Sequence, residues 1–151
     1  MNWSNLSLSL LIIFFLFACR EDSEFPSTPE LTVREFSQFS QDRVVWTIGF
    51  TDGDGDFGVR NDNDADNFIL SVFSIEAGQA VELPSTNYRI PQIRDVPTEN
   101  GVEGEFRLNI DDLDLLRIDN IDSLFYQGYA VDRAGNQSNT IESPRFWIGL
   151  N

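Results

Sequence analysis

Three aspartates, Asp52, Asp54 and Asp56, alternate with Gly53 and Gly55, and Asp62, Asp64 and Asp66 follow within the same fifteen residues. Carboxylates this close repel one another unless a cation neutralises them. Calcium suits such a stretch, since it takes six to eight oxygen ligands at about 2.3–2.6 Å from a chain able to curl round it. Alternating Asp and Gly supply the oxygens and a backbone free to adopt positive φ. The plainer reading is a solvated turn, because Asp and Gly dominate turns for conformational reasons alone.

The spacing is not that of an EF-hand loop, whose sixth position is Gly and whose twelfth is a bidentate Glu. Counting from Asp52, those positions hold Phe57 and Asn63. Any ion bound here needs further ligands from elsewhere in the fold.

Other chemistries are narrowed by what is missing. The 151 residues include no His, no Lys and one Cys. That excludes Ser-His and Cys-His nucleophile pairs, Schiff bases, imidazole metal sites, multi-cysteine zinc sites and an intrachain disulfide. A hydrolase acting on glycans would have to use a carboxylate pair held about 5–9 Å apart in a cleft. Asp111, Asp112, Asp114, Asp119 and Asp122 offer carboxylates, but an acidic loop is usually only solvated. The expectation is therefore a protein without catalytic residues. The net charge of −15 repels phosphate backbones and argues against nucleic-acid binding. Trp46, Trp147, Tyr126 and Tyr129 would form a sugar-stacking platform if exposed, but aromatics at strand spacing more often pack a core.

The elements that must position these groups are short strands. Residues 43–51 place Val44, Trp46, Ile48 and Phe50 on one face at period two. Residues 67–76 are apolar on both faces, as in a central, covered strand, and 77–79 form a hairpin turn into a strand at 80–83. Residues 105–110 alternate cleanly, with Phe106, Leu108 and Ile110 inward. Residues 31–39, 123–132 and 140–150 complete the set, with 88–93 as an edge strand, where Pro is tolerated, and 111–120 as a crossing loop or helical turn. About seven short strands between turn signals indicate an all-β, immunoglobulin-like antiparallel sandwich. In that topology the loop after the second strand shares one end with the last hairpin. Asp132, and more weakly Asn136, thereby join Asp52, Asp54 and Asp56 as expected calcium ligands, with Asp62, Asp64 and Asp66 as weaker candidates.

Ahead of the domain, residues 6–18 are largely apolar, too few for a comfortable membrane span and typical of a secretory leader helix. Leu16, Phe17, Ala18 and Cys19 resemble the lipobox of bacterial lipoproteins, in which the Cys is acylated and becomes the first residue of the mature chain. The resemblance implies a signal peptide over 1–18, a lipid such as palmitate on Cys19, a tether over 19–30 and a folded domain over 31–151. Arg20, Glu21 and Asp22 look like the signal that directs lipoproteins to the outer face of the outer membrane in Bacteroidota.

Three stretches strengthen that placement: residues 50–58 with the Asp-Gly repeat, 67–70, and 131–139 containing Asp132, Arg133, Ala134, Gly135 and Asn136. In this order they resemble a group of Bacteroidota surface lipoproteins with an immunoglobulin-like domain. The resemblance implies a fold and an outer-membrane location, and no activity. The expected role is a binding or structural module, attached to the membrane through Cys19, with a glycan or an outer-membrane protein as partner.

Overall fold

A computed structural model describes residues 23–40, 43–61, 64–92, 101–111 and 123–147. The leader, Cys19, Asp62, Asp112, Asp114, Asp119, Asp122 and the final residues 148–151 lie outside the described residues.

Among the described residues, seven strands form two antiparallel sheets. They are β1 (Glu30–Gln38), β2 (Val44–Asp52), β3 (Phe68–Glu76), β4 (Gln79–Leu83), β5 (Val102–Ile110), β6 (Ser123–Ala130) and β7 (Ile141–Glu142). One sheet has the order β1-β2-β5 and the other β4-β3-β6-β7. This is the immunoglobulin-like arrangement, with a hairpin partner added beside the third strand.

Side-chain parity builds the core. The inward row of β2 is Val44, Trp46, Ile48 and Phe50, all buried. It faces Leu124, Tyr126 and Ala130 of β6 and Phe68, Leu70 and Val72 of β3. Trp46 stacks on Tyr126 with ring centroids 6.2 Å apart and meets Phe68 edge-on at 6.4 Å. Burying each large side chain contributes about 1.5–3 kcal/mol. Two core atoms, Trp46 Nε1 and the Tyr126 hydroxyl, are buried without a hydrogen-bond partner. Burial pushes the Tyr126 phenol well above its ordinary pKa.

Three details differ from the pattern read in the sequence. Strand β3 is central, between β4 and β6, yet only its even row is buried; Ile69, Phe73 and Ile75 are half-exposed. Residues 88–92 form only isolated bridges, Tyr88 to Phe68 and Pro91 to Val59. The last strand stops at Glu142 and returns only at Phe146, which bridges Leu124. Pro144 has no N–H to donate to a ladder, and Ser143 fills the break, its Oγ accepting from Tyr126 N at 2.9 Å.

Candidate metal centre

The two inward rows continue past the apolar core. Asp52 is the next inward position of β2 after Phe50 and is the strand's last residue, opposite Val102 of β5. Asp132 stands two residues beyond Ala130, on the inward parity of β6. The facing sheets thus each send a carboxylate into the same end of the sandwich. Asp52 is 0% exposed and Asp132 7%.

The loop after β2 then curls back over this end. Phe57 is buried and stacks on Phe50, centroids 4.2 Å apart and planes at 14°. Its N–H donates to Asp52 Oδ2 at 2.7 Å. Positive φ at Gly55 (69°) and Gly58 (85°) allows the tight path that a side chain would resist. This hydrophobic anchor is why Phe57 occupies a position where an EF-hand has Gly. As a result Asp54 and Asp56 turn toward Asp52 and Asp132, and one carboxylate oxygen of each of the four lies within 4.8 Å of the others.

The hairpin after β6 clamps the arrangement. Asp132 Oδ1 accepts from Asn136 N at 2.7 Å and Oδ2 from Asn136 Nδ2 at 2.8 Å. Arg133 reaches across to the loop, donating from Nη1 to Gly58 O at 2.8 Å and to Phe57 O at 3.3 Å. Its own N–H points to Asp56 O at 3.4 Å. The guanidinium therefore binds carbonyls of the loop and leaves the carboxylates facing one another.

Those carboxylates are under electrostatic strain. Burial, opposed by the Phe57 hydrogen bond and reinforced by Asp54, Asp56 and Asp132, pushes the Asp52 pKa up to about 6. Asp56 is also raised, first by burial and then by Asp132 and Asp54, with Arg133 opposing. Asp52 Oδ1 and Asp56 Oδ1 are buried and have no hydrogen-bond partner. A buried carboxylate oxygen without a donor is costly, and oxygens converging from four carboxylates are the donor set of a hard cation. The residues present therefore fit a hard cation. Asp52, Asp54, Asp56 and Asp132 would hold it, and any remaining ligands would be carbonyls or water.

Among the described weaker candidates, Asp64 and Asp66 have partners elsewhere. Asp64 Oδ2 accepts from Asn61 N at 3.0 Å and Arg60 N at 3.1 Å, and the Asn61 backbone bond holds its pKa below the usual range. Asp66 pairs with Arg89 at 3.4 Å. Asn136 orients Asp132 through its amide. Asp111 is exposed and pairs with Arg43 at 2.7 Å. Of the four aromatics, Trp46 and Tyr126 are core, whereas Tyr129 is half-exposed and Trp147 exposed. Sequence reasoning missed Arg133 and the Phe57 cap. The signal available for the buried pair was parity: Asp52 and Asp132 each extend an inward apolar row by one step.

A scan against protein-family models and a search of curated proteins find no match to the chain.

Proposed function

We propose that this protein is a non-catalytic binding or structural module whose loop end is stapled by a calcium ion on Asp52, Asp54, Asp56 and Asp132. The observation that carries the reading is the pair of buried, unpartnered oxygens, Asp52 Oδ1 and Asp56 Oδ1, inside a four-carboxylate cluster. The ion replaces the disulfide that a chain with one Cys does not have, joining the loop after β2 to the hairpin after β6. The leader and Cys19 support a place at the outer membrane, lipid-anchored and facing outward. The absence of His and Lys removes imidazole and amine catalysis, which supports a role as a module rather than an enzyme.

The test is a thermal melt of the full chain in detergent micelles, with calcium and with chelator. An ion at about one hundred times its dissociation constant adds roughly 2.7 kcal/mol, so calcium raises the melting temperature by about 5 °C or more. Equal melting temperatures in the two buffers overturn the calcium reading. Metabolic labelling with palmitate tests the anchor separately: label on the wild type and none on Cys19→Ser supports it, and an unlabelled wild type removes it.

A further inference from the structure

The stretch read from sequence as a tether is not separate from the ion-binding end. Pro29 is fully buried, and Glu30 pairs with Thr51 at the end of β2. The chain before it therefore runs back past the acidic loop. Pro26 O accepts from Gly53 N at 2.7 Å. Gly53 lies between two of the four carboxylates, Asp52 and Asp54. A Cβ added at Gly53 would run into the carbonyl of Phe25 and the backbone of Pro26. One step further back, Ser23 Oγ sits where a side chain on Gly101 would go, and Gly101 in turn packs on Asp52 O and Gly53 Cα. Residues 23–26 thus form the outer wall of the ligand loop. They touch its backbone at Gly53, whose neighbours on both sides carry clustered carboxylates.

We propose that cation binding at the four-aspartate cluster and seating of residues 23–29 against Gly53 and Gly101 are one coupled event. Ion occupancy then controls how the stretch leading to Cys19 leaves the domain. The inference rests on the calcium reading above and adds a regulatory consequence to it. Drawing Asp52 and Asp54 toward an ion fixes the Gly53 peptide between them, and its N–H is the donor that holds Pro26. By reciprocity, a seated segment preorganises the loop and tightens ion binding by the same factor. Only Arg20, Glu21 and Asp22 separate Cys19 from Ser23, a span of at most about 14 Å. With a lipid on Cys19, the loaded domain would stand with its acidic end toward the bilayer. The opposite end, with exposed Phe39 and Trp147, would point away.

The experiment uses the full chain in detergent micelles, stripped of metal. Calcium titration calorimetry gives the affinity, and amide hydrogen exchange with and without calcium follows residues 23–30 and the Gly53 amide. Two variants disturb the seat without touching a carboxylate: Gly53→Ala, which collides with Phe25, and Pro26→Gly, which loosens the segment and leaves the loop residues unchanged. Coupling predicts slower exchange of residues 23–30 and Gly53 on adding calcium, and calcium affinity weakened about five-fold or more in Pro26→Gly. Gly53→Ala behaves likewise if it folds. A wild type that binds calcium with no change in segment exchange, and a Pro26→Gly variant of unchanged affinity, overturn the coupling and leave the calcium site standing. A wild type that binds no calcium overturns both.

Discussion

Replacing Asp52 with Asn should stabilise the ion-free protein and abolish its response to calcium. In the wild type at neutral pH, the Asp52 carboxylate is ionised although fully buried, with its pKa raised from 3.8 to about 6. A rise of about two units corresponds to roughly 3 kcal/mol of penalty for the charged form. Asn has nearly the same shape, keeps an oxygen for the Phe57 N–H, and presents an NH2 to the oxygens of Asp56 and Asp132. Allowing for the weaker hydrogen bond to a neutral acceptor, the net gain in chelator is about 1–3 kcal/mol. Differential scanning fluorimetry in chelator should then show Asp52→Asn melting about 4 °C or more above the wild type. In calcium the gap closes by the ion's contribution, roughly 2.7 kcal/mol at one hundred times the dissociation constant, because only the wild type keeps the ligand. A variant that melts lower in chelator would refute the burial argument. One that still shifts with calcium as much as the wild type would refute the assignment of Asp52 as a ligand.

Further outcomes follow from the same geometry. Because the folded state holds the Asp52 proton more tightly than the unfolded chain, metal-free stability declines as pH rises from about 4 through about 6. Urea midpoints in metal-stripped buffer should show the decline for the wild type, and a shallower one for Asp52→Asn; a wild type whose midpoint rises over that window contradicts the raised pKa. Removing Arg133 strips the donor from the Gly58 and Phe57 carbonyls, so Arg133→Ala should lose about 1–3 kcal/mol in urea unfolding and bind calcium more weakly. An unchanged midpoint would mean the hairpin does not hold the loop. Tyr126→Phe deletes a buried hydroxyl that has no partner, and should be neutral or stabilising by up to about 2 kcal/mol. Clear destabilisation by thermal melt would show that the hydroxyl is satisfied.

Much of this architecture was legible because alternation leaves little freedom. Val44, Trp46, Ile48 and Phe50 at period two can bury only one face, and the structure puts all four in the core. Asp132 came within reach of Asp52 through topology alone, since the second loop and the last hairpin share one end of the sandwich. The last strand was not legible in full: the pattern of Phe146 suggests continuity, and the break comes from Pro144 and a side-chain hydroxyl standing in for backbone. The outer face of β3 was misread for a related reason. Apolar residues there indicate propensity for strand, and burial depends on a second layer that periodicity does not report. Asp64 and Asp66 show the limit of composition, because their charge resembles that of the clustered four while local backbone donors and Arg89 take them away. The packing of residues 23–29 was invisible for want of periodicity, although Pro29 is among the most buried residues.

The proposed cation would sit between the two sheets at the end of their inward rows. Isothermal titration of calcium into the metal-stripped full chain measures this directly. It should give one saturable site per chain, absent in Asp52→Asn. No heat of binding, or a titration that Asp52→Asn leaves unaltered, would contradict it.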